Sequence, residues 1–128
     1  MKVRQFMGYC AIFAVALIAA CASQEESKMK FFNKGEALYE KGKYLQASLE
    51  FKNALQIDPK FAKAYYELGQ CEYRLKNFKR AFNYTSKAVE LDPELLEGQV
   101  FLGRILLLAR QTDKTSEKVE IVLNKEPE

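Results

Sequence analysis

A 34-residue period runs through this chain and limits what it can fold into more than any other feature. Gly35, Gly69 and Gly103 are spaced by 34, and so are Pro59, Pro93 and Pro127. Further columns obey the same spacing: Ala47, Ala81 and Thr115; Ala54, Ala88 and Val122; Tyr44, Phe78 and Thr112. Before two of the prolines the phrase itself recurs, Ala-Leu-Gln-Ile-Asp-Pro at 54 to 59 and Ala-Val-Glu-Leu-Asp-Pro at 88 to 93. A fixed period of this length marks stacked supersecondary units, each burying its apolar face against the next. No stretch sustains the apolar/polar alternation of a strand, so the units are helical. Glycine lets one helix of a unit approach the other, the alanine columns keep the facing surface small, and each proline stops a unit.

The spacing predicts six helices, over 29–41, 45–57, 62–75, 79–91, 96–109 and 113–124. Polar turns at Lys41-Gly42-Lys43 and Lys76-Asn77 fit the short connections between them. Over Lys28 to Glu128 the pattern resembles the tetratricopeptide repeat, whose unit is a pair of antiparallel helices. The resemblance implies an all-α helix-turn-helix solenoid of about three repeats, near 28–61, 62–95 and 96–128, within a domain of residues 31–128.

The third unit departs from the other two. Thr112 stands in an aromatic column, Thr115 in a small one, and Lys125 in the apolar column of Ile57 and Leu91, which makes the sixth helix the weakest. The fifth carries Phe101-Leu102 and the run Ile105 to Ala109, apolar nearly all round, and asks for burial on more than one side. Further repeats, self-association or a partner helix would supply it.

The N-terminus reads as an address. Two positive charges in Met1 to Gln5 precede an uncharged run from Phe6 to Ala22, the n-region and h-region of a secretory signal. Ile18-Ala19-Ala20-Cys21 resembles the bacterial lipobox. That resemblance implies a signal peptide over 1–20, diacylation of Cys21, and a polar tether over 21–30. Two or more acyl chains make such anchoring stable. Ala22, where Asp would signal retention, implies the outer membrane with the domain facing the periplasm; the inner membrane is the alternative.

Composition narrows the chemistry. There is no histidine, so the commonest general base and metal ligand are both missing. Of three cysteines only Cys71 stays free once Cys10 leaves with the leader and Cys21 is acylated, and its helix neighbours offer no activating group. No phosphate-binding glycine loop or nucleophile elbow occurs. Loss of Lys2 and Arg4 with the leader takes the net charge from +3 to +1, too little to suggest nucleic acid. The chain is therefore read as a non-enzyme with no catalytic, cofactor or metal site.

In the tetratricopeptide family the first helices of successive repeats line a concave groove. Carried over by column, the resemblance implies a partner-binding surface of Phe32, Tyr39, Lys63, Tyr66, Tyr73, Arg74 and Arg104. The columns Phe32-Tyr66-Val100 and Tyr39-Tyr73-Leu107 form rows along it. Tyrosine offers rigid contact area with a polar tip and arginine offers directed donors, which suits a protein or peptide partner; sugar rings are the other ligand such rows fit. The carboxylate clamp of chaperone-binding members is not expected, because its places hold Phe32, Glu36, Glu67, Glu97 and Phe101. A loose likeness to lipoproteins that accompany exosortase and exopolysaccharide loci implies a scaffold in exopolysaccharide export or surface-protein sorting. The alternatives are an accessory of pilus or outer-membrane protein assembly, and a carbohydrate-binding module.

Overall fold

The computed structural model describes residues 22–123, with side chains through Gln111. Five helices follow one another: α1 over 22–40, α2 Tyr44–Ile57, α3 Ala62–Arg74, α4 Phe78–Leu91 and α5 Leu96–Leu123. No described helix is long and apolar enough to cross a membrane. The leader and Cys21 lie outside the described residues.

Two kinds of turn build the stack. The turns after α1 and α3 each hold a residue in the left-handed region, Gly42 at φ 72° and Lys76 at φ 65°. Around the first, Gly42 N–H donates to the Tyr39 carbonyl and Lys43 N–H to that of Leu38, both at 2.9 Å. Lys76 N–H to Tyr73 at 3.0 Å and Asn77 N–H to Glu72 at 2.8 Å repeat the pattern. These are Schellman closures, which satisfy the last carbonyls of a helix while reversing the chain. Each second helix ends on Asp-Pro. Asp58 Oδ1 accepts from Lys60 N–H, and Asp92 Oδ1 from Glu94 N–H, each at 3.0 Å. The aspartate side chain thus takes over hydrogen bonds the helix can no longer make.

Glycine sets the depth of packing. A Cβ on Gly35 would sit 2.6 Å from the Phe51 ring; one on Gly69 would strike the Thr85 hydroxyl and lie 3.3 Å from the Ala81 carbonyl oxygen. One cluster of Phe32, Ala47, Phe51, Ala54, Ala64, Leu68 and Cys71 fills the space between α1, α2 and α3. A second, of Ala81, Phe101 and Ile105, joins α4 to α5. Cys71 is fully buried, and burial foremost pushes its thiol up to about 12, so it packs as an inert small residue.

Two expectations change. Residues 22–30, expected as a tether, form the start of α1. Lys28 fastens this segment to the body: its ammonium lies 3.0 Å from Asp58 Oδ2, 2.8 Å from Glu25 and 4.6 Å from the centre of the Phe61 ring. Burial raises the Asp58 pKa, but the Lys28 and Lys60 hydrogen bonds and charges outweigh it and hold the carboxyl below its ordinary value.

The second change is in the third repeat, where the chain does not reverse near residue 110 and the expected fifth and sixth helices are one, α5. The residues of the second turn show why. There Asn77 Nδ2 donates to Glu72 Oε2 at 2.9 Å, clipping the reversal shut, and Glu72 is 2% exposed. In the third unit Leu106 stands for Glu72, Arg110 for Lys76 and Gln111 for Asn77. The clip is lost, and no glycine eases entry into the left-handed region, which disfavours other residues by about 1–2 kcal/mol.

Candidate binding groove

The first helices α1, α3 and α5 line one face, and α3 supplies its central stripe. Lys63, Tyr66, Glu67, Gln70, Tyr73 and Arg74 recur three and four apart, so they share one side of that helix. Two adjoining hollows run along this side. The larger, of about 460 Å³, is lined by Tyr66, Gln70, Leu96, Glu97, Val100, Phe101 and Arg104. The smaller, of about 110 Å³, is lined by Tyr39, Gln70, Tyr73, Arg74, Phe101 and Arg104. Gln70, Phe101 and Arg104 belong to both, which makes one continuous groove.

Phe101 is its floor. The ring meets Tyr66 edge-on at 6.0 Å between centroids and Tyr73 at 5.4 Å, so both tyrosines lean on it while staying half-exposed. Across the smaller hollow Arg74 Nε donates to the Tyr39 hydroxyl at 3.1 Å, and that hydroxyl donates to Gln70 Oε1 at 3.2 Å. The Arg74 guanidinium also lies 5.9 Å from the Tyr44 ring centre. Such pairing holds side chains in place before a ligand arrives and lowers the ordering cost of binding.

Charge is divided along the groove. Arg74 and Arg104 line its smaller hollow, Arg104 and Glu97 line the larger, and Glu67 on α3 feels the charges of Glu36 and Glu97. Burial first, then the charge of Glu36, pushes the Glu67 carboxyl up to about 7, with Lys63 partly opposing. A cation on a ligand would stabilise the ionised form there.

Of the expected surface, Tyr39, Tyr66, Tyr73, Arg74 and Arg104 come together. Phe32 does not: it is 1% exposed, packed against Phe51 at 5.5 Å and Phe61 at 4.9 Å. Having no polar tip to keep in water, it goes wholly inward, where tyrosine in the same column stays at the rim. Lys63 is exposed but lies outside both hollows, 3.6 Å from Glu36 and 5.1 Å from the Phe32 ring centre. Leu107 is 67% exposed and also outside them. The floor residue Phe101 stood among the clamp places but was left out of the expected binding surface, because its column runs Asn33, Glu67, Phe101; an aromatic residue among polar ones was the available signal.

Two family matches fall on the first two repeats, "TPR repeat" over residues 35–76 and "Tetratricopeptide repeat" over 62–95. The chain is 29% identical over 94 residues to the Hsp70-Hsp90 organizing protein 1 of Glycine max, covering 73% of this chain and 16% of that protein. It is 36% identical over 67 residues to the small glutamine-rich tetratricopeptide repeat-containing protein 2 of Mycosarcoma maydis, 52% of this chain and 19% of that one. It therefore spans less than a fifth of either relative. Among solved structures it is similar to the Arabidopsis OM64 TPR domain, with a TM-score of 0.66 at 18% identity, covering 81% of this chain and 86% of that one. The second TPR of Spaghetti (RPAP3) bound to the HSP90 peptide SRMEEVD gives 0.65 at 16%, covering 82% and 99%. The described part thus folds as an all-α tetratricopeptide-repeat domain of roughly 2.5 repeats.

Proposed function

We propose that the groove takes an extended segment of a protein partner, and that lipid on Cys21 tethers the domain to a bacterial membrane as a scaffold of an envelope assembly or export system. The continuous groove carries the first half of this reading: a rigid aromatic floor with Gln70 and Arg104 reaching both hollows. Peptide binding in domains of similar fold supports it, since the Spaghetti (RPAP3) domain is bound to SRMEEVD. The ligand here differs in charge. Glu97 in the larger hollow, with Glu36 and Glu67 near it in charge, disfavours a uniformly acidic peptide, so the fitting segment places its carboxylates toward Arg74 and Arg104 and an apolar or basic part toward the glutamates. The signal-like run and Ala19-Ala20-Cys21 support the tether, and Ala22 supports the outer-membrane, periplasm-facing location.

The groove is tested by mass spectrometry of proteins that co-purify with the detergent-solubilised full chain, beside Tyr66→Ala and Arg104→Glu variants. One envelope protein should recur and be lost with either change, its affinity falling about tenfold or more, ~1.4 kcal/mol, while the thermal melt stays close to that of the parent. Glycan binding without a protein partner would sink the peptide reading. The tether is tested separately. Cys21→Ser should move the protein from the membrane to the soluble fraction or leave its leader uncut, and the mature parent should gain the mass of acyl chains on Cys21; an unmodified parent would end this half of the proposal.

A further inference from the structure

Every second helix presents the same triad to its first helix. In α2 it is Ala47, Phe51 and Ala54, and in α4 Ala81, Thr85 and Ala88, all fully buried. The period carries these columns to Thr115, Val119 and Val122, positions that share one helix face. The middle residue of the triad seats on the glycine of the first helix, Phe51 on Gly35 and Thr85 on Gly69. Gly103 is the third such glycine, and nothing described lies within 4 Å of where its Cβ would be. Val119 of the same chain is out of reach. Both residues belong to the continuous α5, and at ~1.5 Å per residue the helix holds them about 24 Å apart.

An apolar cleft opens beside that seat. Phe78 and Phe82 of α4 and Ile105, Leu106, Leu108 and Ala109 of α5 line a space of about 370 Å³. Phe82 is 37% exposed and Leu106 51%, so the surface a second helix would cover stands open. Beyond it, the helical end of α5 continues past Ala109 for about 20 Å.

The register says how the two fit. Gly35 and Phe51 lie symmetrically about Lys43, Gly69 and Thr85 about Asn77, and Gly103 and Val119 about Gln111. At the first two centres the chain reverses, and at the third it runs straight. Two α5 helices laid antiparallel across a twofold axis at Gln111 therefore reproduce between copies the pairing made within a chain by the first two repeats. We propose that this protein forms a twofold dimer in which residues 113–123 of each α5 fill the cleft between α4 and α5 of the other copy, Val119 seated on Gly103. The contact is self-complementary and closes after two copies, as an isologous interface must.

Two differently tagged full chains test it, one carrying Gly103→Cys and the other Val119→Cys, mixed in detergent and oxidised. A reducible crosslink between the tags, absent when either cysteine variant is oxidised alone, is the expected result. If a crosslink forms only within a chain bearing both changes, the segment folds back on its own cradle and the dimer is overturned; no crosslink in either arrangement overturns it too. Because a side chain at 103 can hinder the seat, mass by sedimentation equilibrium in density-matched detergent gives a second reading. The unmodified chain should have twice the monomer mass. Val119→Asp should weaken association at least tenfold, and Arg110→Gly with Gln111→Asn, which restores the turn chemistry of the earlier repeats, should give a monomer. A monomeric parent, or a dimer indifferent to both changes, overturns the proposal.

Discussion

Phe51→Ala lowers the melting temperature of the domain by roughly 15–30 °C, read by helical circular dichroism. Phe51 is fully buried, its ring 5.5 Å from that of Phe32 and pressed against the bare backbone of Gly35. Emptying such a site removes the transfer energy of the ring and leaves a cavity, together worth about 3–5 kcal/mol. In a domain of this size each kcal/mol is worth about 4–8 °C. The helices around the site cannot collapse to refill it, because Gly35 offers no side chain and Ala47 and Ala54 offer only methyl groups. Phe51→Leu, which keeps most of the volume, should cost less than half as much. A Phe51→Ala protein melting within 5 °C of the parent would mean that α1 and α2 do not depend on this contact.

How much of this was legible beforehand varies with the kind of residue. Gly42, the Asp-Pro turns and the glycine and alanine columns state their geometry locally, because each does one thing that few other residues can do. Hence α2, α3 and α4 begin and end within a residue or so of the expected bounds. The third turn failed for a reason that columns hide. Lys76 enters the left-handed region without being glycine, and what holds it there is Asn77 clipped to Glu72; once Leu106 replaces the glutamate, the same spacing no longer reverses the chain. Spacing shows where a turn falls, but only the hydrogen bonds around it decide whether it forms. The start of α1 escaped for the opposite reason. Residues 23–30 look solvated by composition, and the long-range pairing of Lys28 with Asp58, thirty positions away, together with Met29 on the core, fastens them to the body.

The groove shows the same division. The groove columns implied by the resemblance name Tyr39, Tyr66, Tyr73, Arg74 and Arg104, which the structure brings together because the period carries equivalent positions to the same side of each first helix. They misplaced Phe32, since a column records direction and not depth, and depth is set by what lies beneath. Under Phe32 lies Phe51, where the corresponding residue of α4 is the smaller Thr85, and two phenylalanines close over one another. Phe101 became the floor because both Tyr66 and Tyr73 lean on it from α3, a pairing between helices that no single column contains.

Gly69→Leu is expected to cost at least about 3 kcal/mol, enough to leave the domain largely unfolded at 37 °C, whereas Gly103→Ala should leave the isolated monomer as stable or up to ~1 kcal/mol more so. The two positions share a column and differ in what faces them. At Gly69 even a single carbon meets the Thr85 hydroxyl and lies 3.3 Å from a backbone carbonyl, and backbone cannot swing aside as a side-chain tip can. Four carbons there must drive α3 and α4 apart, and Leu68, Cys71, Ala81 and Ala88, all fully buried on those two helices, would lose their neighbours with them. At Gly103 a methyl group meets nothing described, so the intrinsic helix preference of alanine over glycine, ~1 kcal/mol, is all that acts on the monomer. If the seat is filled by Val119 of a second copy, the same methyl group weakens the dimer while strengthening the monomer. Stability measured against protein concentration separates the two effects: Gly103→Ala should melt higher than the parent when dilute and lose that advantage when concentrated. Equal melting of Gly69→Leu and the parent would show that the close approach of α3 to α4 is not needed.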